Sequence, residues 1–385
     1  MKSEGLPPSL VALFAAGAGL SAASLYYNQP ILGAIASDLH ATTAEVGAVP
    51  MLTQLGYAAG ILLFAPLGDR LDRRRVIVAK SIVLCASLLA AGLAPSIAWL
   101  AVASLAIGMS ATAAQDFVPA AASLAPDKSR GRVVGSVMTG LLLGILLSRL
   151  ASGAASDRFG WRAVFFGAAG IIAVLGTVSA LRLPRFEPST RASYGSLLRS
   201  IAVLARDIAP LRRAALSQAL LSLSFSAFWS TLALALAAEP YRLGSTAAGA
   251  FGLAGAAGAL IAPIAGAIAD RRGPKTVIRI GALMVFASFV AMGALQGSLA
   301  VLIAGTIVFD LGAQACLISH QTIVYGLEPS ARSRLNAVLV SAMFFGMSIG
   351  AALASRALGR FGWSGVMVLG ATSALAALVV RALPE

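Results

Sequence analysis

Charged side chains make up only 11% of this chain, against 58% hydrophobic residues and a mean hydropathy of +0.87. So few charges cannot cover a surface in water, which excludes an ordinary soluble domain and makes the lipid bilayer the solvent. Histidine is nearly missing, with His40 and His320 the only two. Cysteine is as sparse: Cys85 and Cys316 both fall in apolar runs, without a partner at metal-ligand spacing. These shortages exclude a His-rich metal centre and give no reason to expect a disulfide, a metal or a cofactor. Acids are also few, 15 against 29 Lys and Arg, for a net charge of +14. That excess is not a nucleic-acid footprint, because the bases are divided among separate short loops.

What the chain does have is apolar runs of the length that crosses about 30 Å of hydrocarbon as a helix. Twelve are legible, at 10–36, 45–66, 76–95, 98–124, 133–156, 162–183, 214–238, 245–268, 277–296, 298–325, 335–357 and 363–383, numbered helices 1 to 12 below. The first holds Tyr26-Tyr27-Asn28-Gln29-Pro30 and no small-residue cleavage site, so it reads as a retained helix. With both termini in the cytoplasm, all but six of the bases fall on the cytoplasmic side. The exceptions are Arg149, Arg158, Arg162, Arg242, Arg356 and Arg360. This is the positive-inside pattern of a multi-pass protein, expected in a bacterial cytoplasmic (inner) membrane.

The chain repeats itself. Pro66-Leu67-Gly68-Asp69-Arg70-Leu71-Asp72-Arg73-Arg74 has its counterpart in Ala265-Gly266-Ala267-Ile268-Ala269-Asp270-Arg271-Arg272-Gly273-Pro274-Lys275, with Asp69 and Asp270 201 residues apart. Arg158-Phe159-Gly160-Trp161 recurs as Arg360-Phe361-Gly362-Trp363 at an offset of 202. The expected fold is an all-α membrane protein of twelve transmembrane helices in two parallel six-helix repeats around a central cavity. Its parts are residues 1–184, a cytoplasmic linker 185–213, and residues 214–385. In the linker, Leu197, Ile201, Leu204 and Ile208 share one helical face, which fits either a helix lying on the bilayer surface or a connector with helical character.

Polar content recurs every third helix. Helix 1 aligns Ser21, Ser24 and Asn28; helix 4 aligns Gly108, Thr112, Gln115 and Asp116; helix 7 aligns Gln218, Ser222, Ser226 and Trp229; helix 10 aligns Asp310, Gln314 and Gln321. Helices 3, 6, 9 and 12 are nearly bare and should face lipid. Helices 2, 5 and 11 carry glycines four apart, Gly56 and Gly60, Gly140 and Gly144, Gly346 and Gly350, and helix 8 has Gly252, Gly255 and Gly258. Such small faces let helices approach closely, here expected between the halves. The cavity side chains expected from this pattern are Tyr27, Asn28, Gln54, Tyr57, Gln115, Gln218, Trp229 and Gln314, which suit a neutral or weakly charged amphipathic small molecule.

Proton coupling needs an ionisable group in a partly dehydrated site, and Asp310 and Asp116 are the acids that qualify. Asp310 lies about 12 residues into helix 10, roughly 18 Å deep, and Arg149 roughly 12 Å deep on helix 5, close enough to meet. Asp116 is nearer the cytoplasm, roughly 27 Å from the outer surface. Asp310 is therefore expected to take the proton, with Arg149 its competing partner and Asp116 a second candidate. A static buried ion pair that sets helix packing is the alternative. His320 relays protons or binds substrate on one reading, and caps or packs on the other.

The repeated loops and the two six-helix halves resemble the major facilitator superfamily and its signature loop between helices 2 and 3 and helices 8 and 9. That resemblance implies a gating role for Asp69, Arg70, Arg73 and Arg74 and for Asp270, Arg271, Gly273 and Lys275, with the start of helix 11 near Arg334 the partner of Asp69. The first loop departs from the pattern at Ala65 and Asp72, so Asp69 is expected to matter more than Asp270. Within the superfamily the chain looks most like the twelve-helix drug-proton antiporter branch, with Ser104 in place of that branch's helix 4 arginine and no proline in its helix 5 pattern. The resemblance implies proton-coupled export of small amphipathic compounds by a protein that needs no partner subunit to form its cavity. A sugar or metabolite transporter on the same scaffold is the rival reading. An intramembrane enzyme is less favoured, because Gly346-Met347-Ser348-Ile349-Gly350 lies mid-helix rather than on a strand-to-helix elbow.

Overall fold

The computed structural model describes residues 6–188, 190, 192–260, 272–328 and 331–382, with only the backbone described for residues 65 and 256–260. Asp270 and Arg271 lie outside the described residues. Helix 1 runs over Pro8–Ala23 and resumes as Leu32–Asp38; helix 2 is Ala48–Arg70, helix 3 Arg73–Gly92, helix 4 Ile97–Ala111 with Ala114–Leu124, helix 5 Arg130–Phe159 and helix 6 Trp161–Arg182. A linker helix, Tyr194–Asp207, precedes helix 7, Ala209–Trp229 with Leu232–Ala237. Helix 8 is Ser245–Leu260 as described, helix 9 Pro274–Ala294 and helix 10 Leu299–Leu327. Helices 11 and 12 share Arg332–Ala382, broken at Gly362 with φ 62°. Nine helical stretches among the described residues are long and apolar enough to cross a membrane. The last of them holds helices 11 and 12; helix 1, cut at Ala23, and helix 8 complete the twelve.

Helix starts follow local capping. Asp72 accepts from Arg74 N at 3.0 Å to open helix 3, and Ser96 and Ser298 do the same for helices 4 and 10. Helix 9 starts differently, from Gly273 at φ 80°, a backbone angle that favours glycine, followed by Pro274. Helices 1, 4 and 7 are each interrupted within the bundle, at Ser24–Asn28, Thr112–Ala113 and Ser230–Thr231. Backbone freed in this way must find partners inside the protein. Here Thr112 and Thr231 hydroxyls donate back to Met109 O and Ala227 O, both at 2.6 Å.

Helices 3, 6, 9 and 12 are peripheral, as expected: Ile82, Val174, Leu283 and Val368 are each half or more exposed. The glycine pairs correct the expectation placed on them. Gly56 and Gly60 face Leu105 and Met109 of helix 4, Gly140 and Gly144 face Ala15 and Gly19 of helix 1, and Gly346 and Gly350 face Ala219 and Leu223 of helix 7. They bring helices together within a half, not between halves, because each sits on the helix face turned toward its own bundle.

The halves touch along two seams. Helix 5 packs on helix 8, where Gly153 meets Ser245 and Gly249 meets the Arg149 backbone, and helix 2 packs on helix 11, where Gly47 meets Ser355. Both seams lie toward the face where helix 5 ends and helix 6 begins, called here the far face. Toward the opposite or linker face, helices 2 and 11 stay in contact, with Ser341 Oγ donating to Ala58 O at 3.4 Å, and an apolar cavity of about 580 Å³ lies between them and the linker helix, which contributes Leu198 and Ile201. Tyr194 ties that helix to the first half through Leu63 O at 2.7 Å.

Candidate functional site

The interruption of helix 1 places Gln29 on a short 3-10 turn opposite Arg149 of helix 5. Arg149 Nε donates to Gln29 Oε1 at 2.9 Å. Its guanidinium lies 4.7 Å from the Tyr26 ring centroid and 4.2 Å from that of Trp229. Trp229 Nε1 in turn donates to Asp310 Oδ1 at 3.4 Å. Asp310 rests against helix 8 at Gly255, where any Cβ would overlap Oδ2. Arg149 and Asp310 are 5% and 4% exposed, so both charges are withdrawn from water.

The expected direct pair is corrected on one point. Among the described residues no ion pair within 4 Å joins Arg149 to Asp310, because the Trp229 indole stands between them. Two desolvated cation–π contacts of about 2 kcal/mol each and one charge-assisted hydrogen bond of about 1.5–3 kcal/mol oppose a desolvation cost of several kcal/mol per ion. Arg149 Nη2 and Gln29 Nε2 nevertheless remain buried without a hydrogen-bond partner among the described residues. Around them Gln29, Pro30, Arg149, Trp229, Leu232, Ala233 and Ala248 close in on a narrow cleft with no room for a water molecule. Its walls come from helices 1, 5, 7 and 8, whereas the polar pattern pointed to helices 1, 4, 7 and 10. The closed seams explain the difference, since they press helices 5 and 8 into the middle.

Other expected cavity groups are engaged with one another. Asn28 Nδ2 donates to Thr53 Oγ1 at 2.9 Å, Gln115 Nε2 to Tyr57 Oη at 2.9 Å, and Ser226 Oγ to Gln54 Oε1 at 3.0 Å, the last across the halves. The Tyr57 ring packs 4.4 Å from Phe344. Tyr27 is buried, and Gln314 is half-buried one turn beyond Asp310. His320 lies ten residues past Asp310, roughly 15 Å along helix 10; its Nδ1 is 3.0 Å from Gln218 Oε1.

Asp116 belongs to a separate cluster at the linker face. Lys80 Nζ donates to Asp116 Oδ2 at 2.6 Å, both side chains less than a tenth exposed. The sequence set Lys80 among the cytoplasmic bases, but it is buried about two turns inside helix 3. Beside this pair Arg73 Nη2 donates to Asp69 Oδ1 at 3.1 Å, Asp72 accepts from Phe186 N at 3.0 Å, and Arg74 reaches Ala180 O. The first signature loop is thus tied to helices 4 and 6. Arg70 is half-buried at the end of helix 2; of the second loop, Gly273 and Lys275 are described at the start of helix 9.

At the far face Asp157 accepts from Ser245 N at 3.2 Å and Thr246 N at 2.8 Å, so helix 5 of one half caps helix 8 of the other. Sequence reading passed over it because it adjoins Arg158 and looks like a loop charge. Asp38 is held within the first half by Arg162 and by Trp161 Nε1, and these donors keep its carboxyl below the usual carboxylate range.

Two halves of six helices, a charged loop repeated between the second and third helix of each, and a buried cluster at their seam agree with what the comparisons return. The profile of the Major Facilitator Superfamily matches residues 14–214 and again 214–385. The chain belongs to the major facilitator superfamily. It is 38% identical to "Uncharacterized transporter YgaY" of Escherichia coli O157:H7 over 97% of this chain and 95% of that protein. Its fold matches the crystal structure of a mutant of the nucleoside transporter NupG, with a TM-score of 0.80 at 14% identity, covering 97% and 99% of the two chains. A bacterial homologue of the human lysosomal transporter Spinster, inward-facing and unoccupied, gives 0.74 at 16% identity, covering 97% and 94%. At such identities the two structures establish the superfamily fold alone. As a superfamily member this protein is a multi-pass membrane transporter.

Proposed function

We propose that this transporter moves small amphipathic compounds out of the cell by proton-coupled alternating access, with Asp310 as the protonation site. The observation that carries the reading is the division of the central cluster: Arg149 and Gln29 come from the first half, Trp229 and Asp310 from the second. Rocking the halves apart therefore changes the surroundings of the buried acid, which is what coupling requires. Asp116 is assigned to structure, since its ion pair with Lys80 lies inside one half and survives such a motion. The base-rich linker face is assigned to the cytoplasm of a bacterial inner membrane, with both termini on that side. There the Asp69 and Asp270 loops gate, and the far-face seams form the opposite gate. Export follows from the resemblance to the drug-proton antiporter branch.

The test uses proteoliposomes with an imposed pH gradient and a broad substrate panel. Asp310→Asn is expected to abolish gradient-driven flux while leaving the protein folded; full gradient-driven flux in that variant would overturn the reading.

A further inference from the structure

The central site lacks acceptors. Arg149 and Gln29 are 5% and 2% exposed. Each offers one donor to the space beside Trp229, Arg149 Nη2 and Gln29 Nε2, and neither donor meets an acceptor among the described residues. Buried donors of this kind cost about 1–3 kcal/mol each when unmet, more when charged. The cleft is too narrow for water to relieve them. Asp310 does not relieve them either, since the indole of Trp229 holds it apart and Gly255 seats it against helix 8.

We propose that the transported compound is a small organic monoanion, a carboxylate on an apolar body, whose two oxygens take these two donors when the halves part and the cleft between them widens. One donor from the guanidinium and one from the adjacent amide match the paired oxygens of a carboxylate, the first as a charge-assisted hydrogen bond. The remaining walls, Pro30, Leu232, Ala233 and Ala248 with the faces of Tyr26 and Trp229, suit an apolar body.

Charge balance sets the coupling. The titratable groups facing the cluster are Tyr26 from helix 1, Arg149 from helix 5 and Asp310 from helix 10; helices 7 and 8 bring Trp229, Ala248, Gly252 and Gly255. With Asp310 ionised the set is neutral, and an added anion would leave a net negative charge in a dry site. With Asp310 protonated the set carries +1, and one anion neutralises it. A neutral compound would leave the Arg149 charge unmatched, and an amine would add to it. Anion and proton are therefore bound together and cross together. This co-transport differs from the proton exchange of the drug-proton antiporter branch: an inward proton gradient opposes it, so export is driven by the anion's own outward gradient, as for an acid produced inside the cell.

This inference rests on the proposed role of Asp310, and calorimetry separates the two. Full-length protein in detergent is titrated with benzoate, benzamide and benzylamine, and with butyrate, butyramide and butylamine, in paired buffers of different ionisation enthalpy from mildly acidic to mildly alkaline pH. In at least one triplet the carboxylate is expected to bind at least tenfold more tightly than its amide and amine, with a proton taken up at alkaline pH. Arg149→Gln is expected to remove that preference; should it fail to fold, Arg149→Lys keeps the charge, loses the planar group that bonds Gln29 and presents Nη2 at once, and is expected to weaken carboxylate binding at least tenfold. Asp310→Asn is expected to bind carboxylate without proton uptake. Equal or better binding of amide or amine, binding of none of the six, carboxylate affinity insensitive to both Arg149 variants, or no proton uptake at any pH overturns the inference. If an amine instead drives proton movement that Asp310→Asn abolishes, the proton-coupled reading stands and the anion assignment falls.

Discussion

The seam between helices 5 and 8 and the seam between helices 2 and 11 are counterparts in the two repeats, yet different chemistry closes them. In the first, Asp157 caps helix 8 across the halves, and Gly249 lets two backbones touch beside Arg149. The offset of 202 that relates the Arg-Phe-Gly-Trp turns carries Asp157 onto Gly359 and Ser245 onto Thr43. Gly359 has only Thr43 nearby, at 3.8 Å from a built Cβ, and contributes no acceptor. The short helix Thr43–Val46 that leads into helix 2 is instead capped locally, by the reciprocal Thr42 and Glu45 box. The cap at the first seam therefore forms only while the halves are together, whereas the cap at the second is made within one half. A transporter built from a duplication can in this way place most of the conformational sensitivity of a gate on one side of its axis.

The largest expected effect comes from forcing the sensitive seam apart. In Gly249→Val a side chain strikes the Arg149 carbonyl oxygen, and overpacking of this kind costs about 1–3 kcal/mol. Because Arg149 itself is displaced, flux in proteoliposomes is expected to fall at least tenfold; unchanged flux would show that the contact does not position the site. Asp157→Ala removes the cap between the halves, worth about 1 kcal/mol and up to 2 kcal/mol with the helix dipole. Spin labels at Arg158 and Arg242 should then report a far-face-open population raised roughly fivefold or more. Gly359→Asp sharpens the comparison by offering the second seam the acid it lacks, and should move the same distance distribution modestly toward closure. Thr42→Ala is expected to change it least, since the cap it removes lies within one half; an effect as large as that of Asp157→Ala would dissolve the asymmetry.

Most of the fold was legible because a backbone in lipid leaves few choices, and apolar runs of fixed length report helices directly. Arg149, Asp310 and Trp229 were legible for a related reason: an ionisable or bulky polar side chain in such a run stands out. What periodicity does not give is the neighbour. It showed that Gly140 and Gly144 share a face, but not that the face meets helix 1 rather than the other half. Lys80 sits near enough to the loop arginines to read as an insertion signal, and only packing reveals that it meets Asp116. The interruptions in helices 4 and 7 escaped because Thr112 and Ser230 are tolerated within helices and carry no breaker signal. In helix 1, Pro30 gave such a signal, and the structure places the nearby turn at the site.

Trp229, wedged between Arg149 and Asp310, also gives the protein an optical handle. The chain has four tryptophans, and replacing Trp99, Trp161 and Trp363 by phenylalanine would leave one emitter in direct contact with the charged pair. Its emission would follow a proton or a ligand arriving at the site in unlabelled protein, in real time, and so convert the transport cycle into a spectroscopic signal.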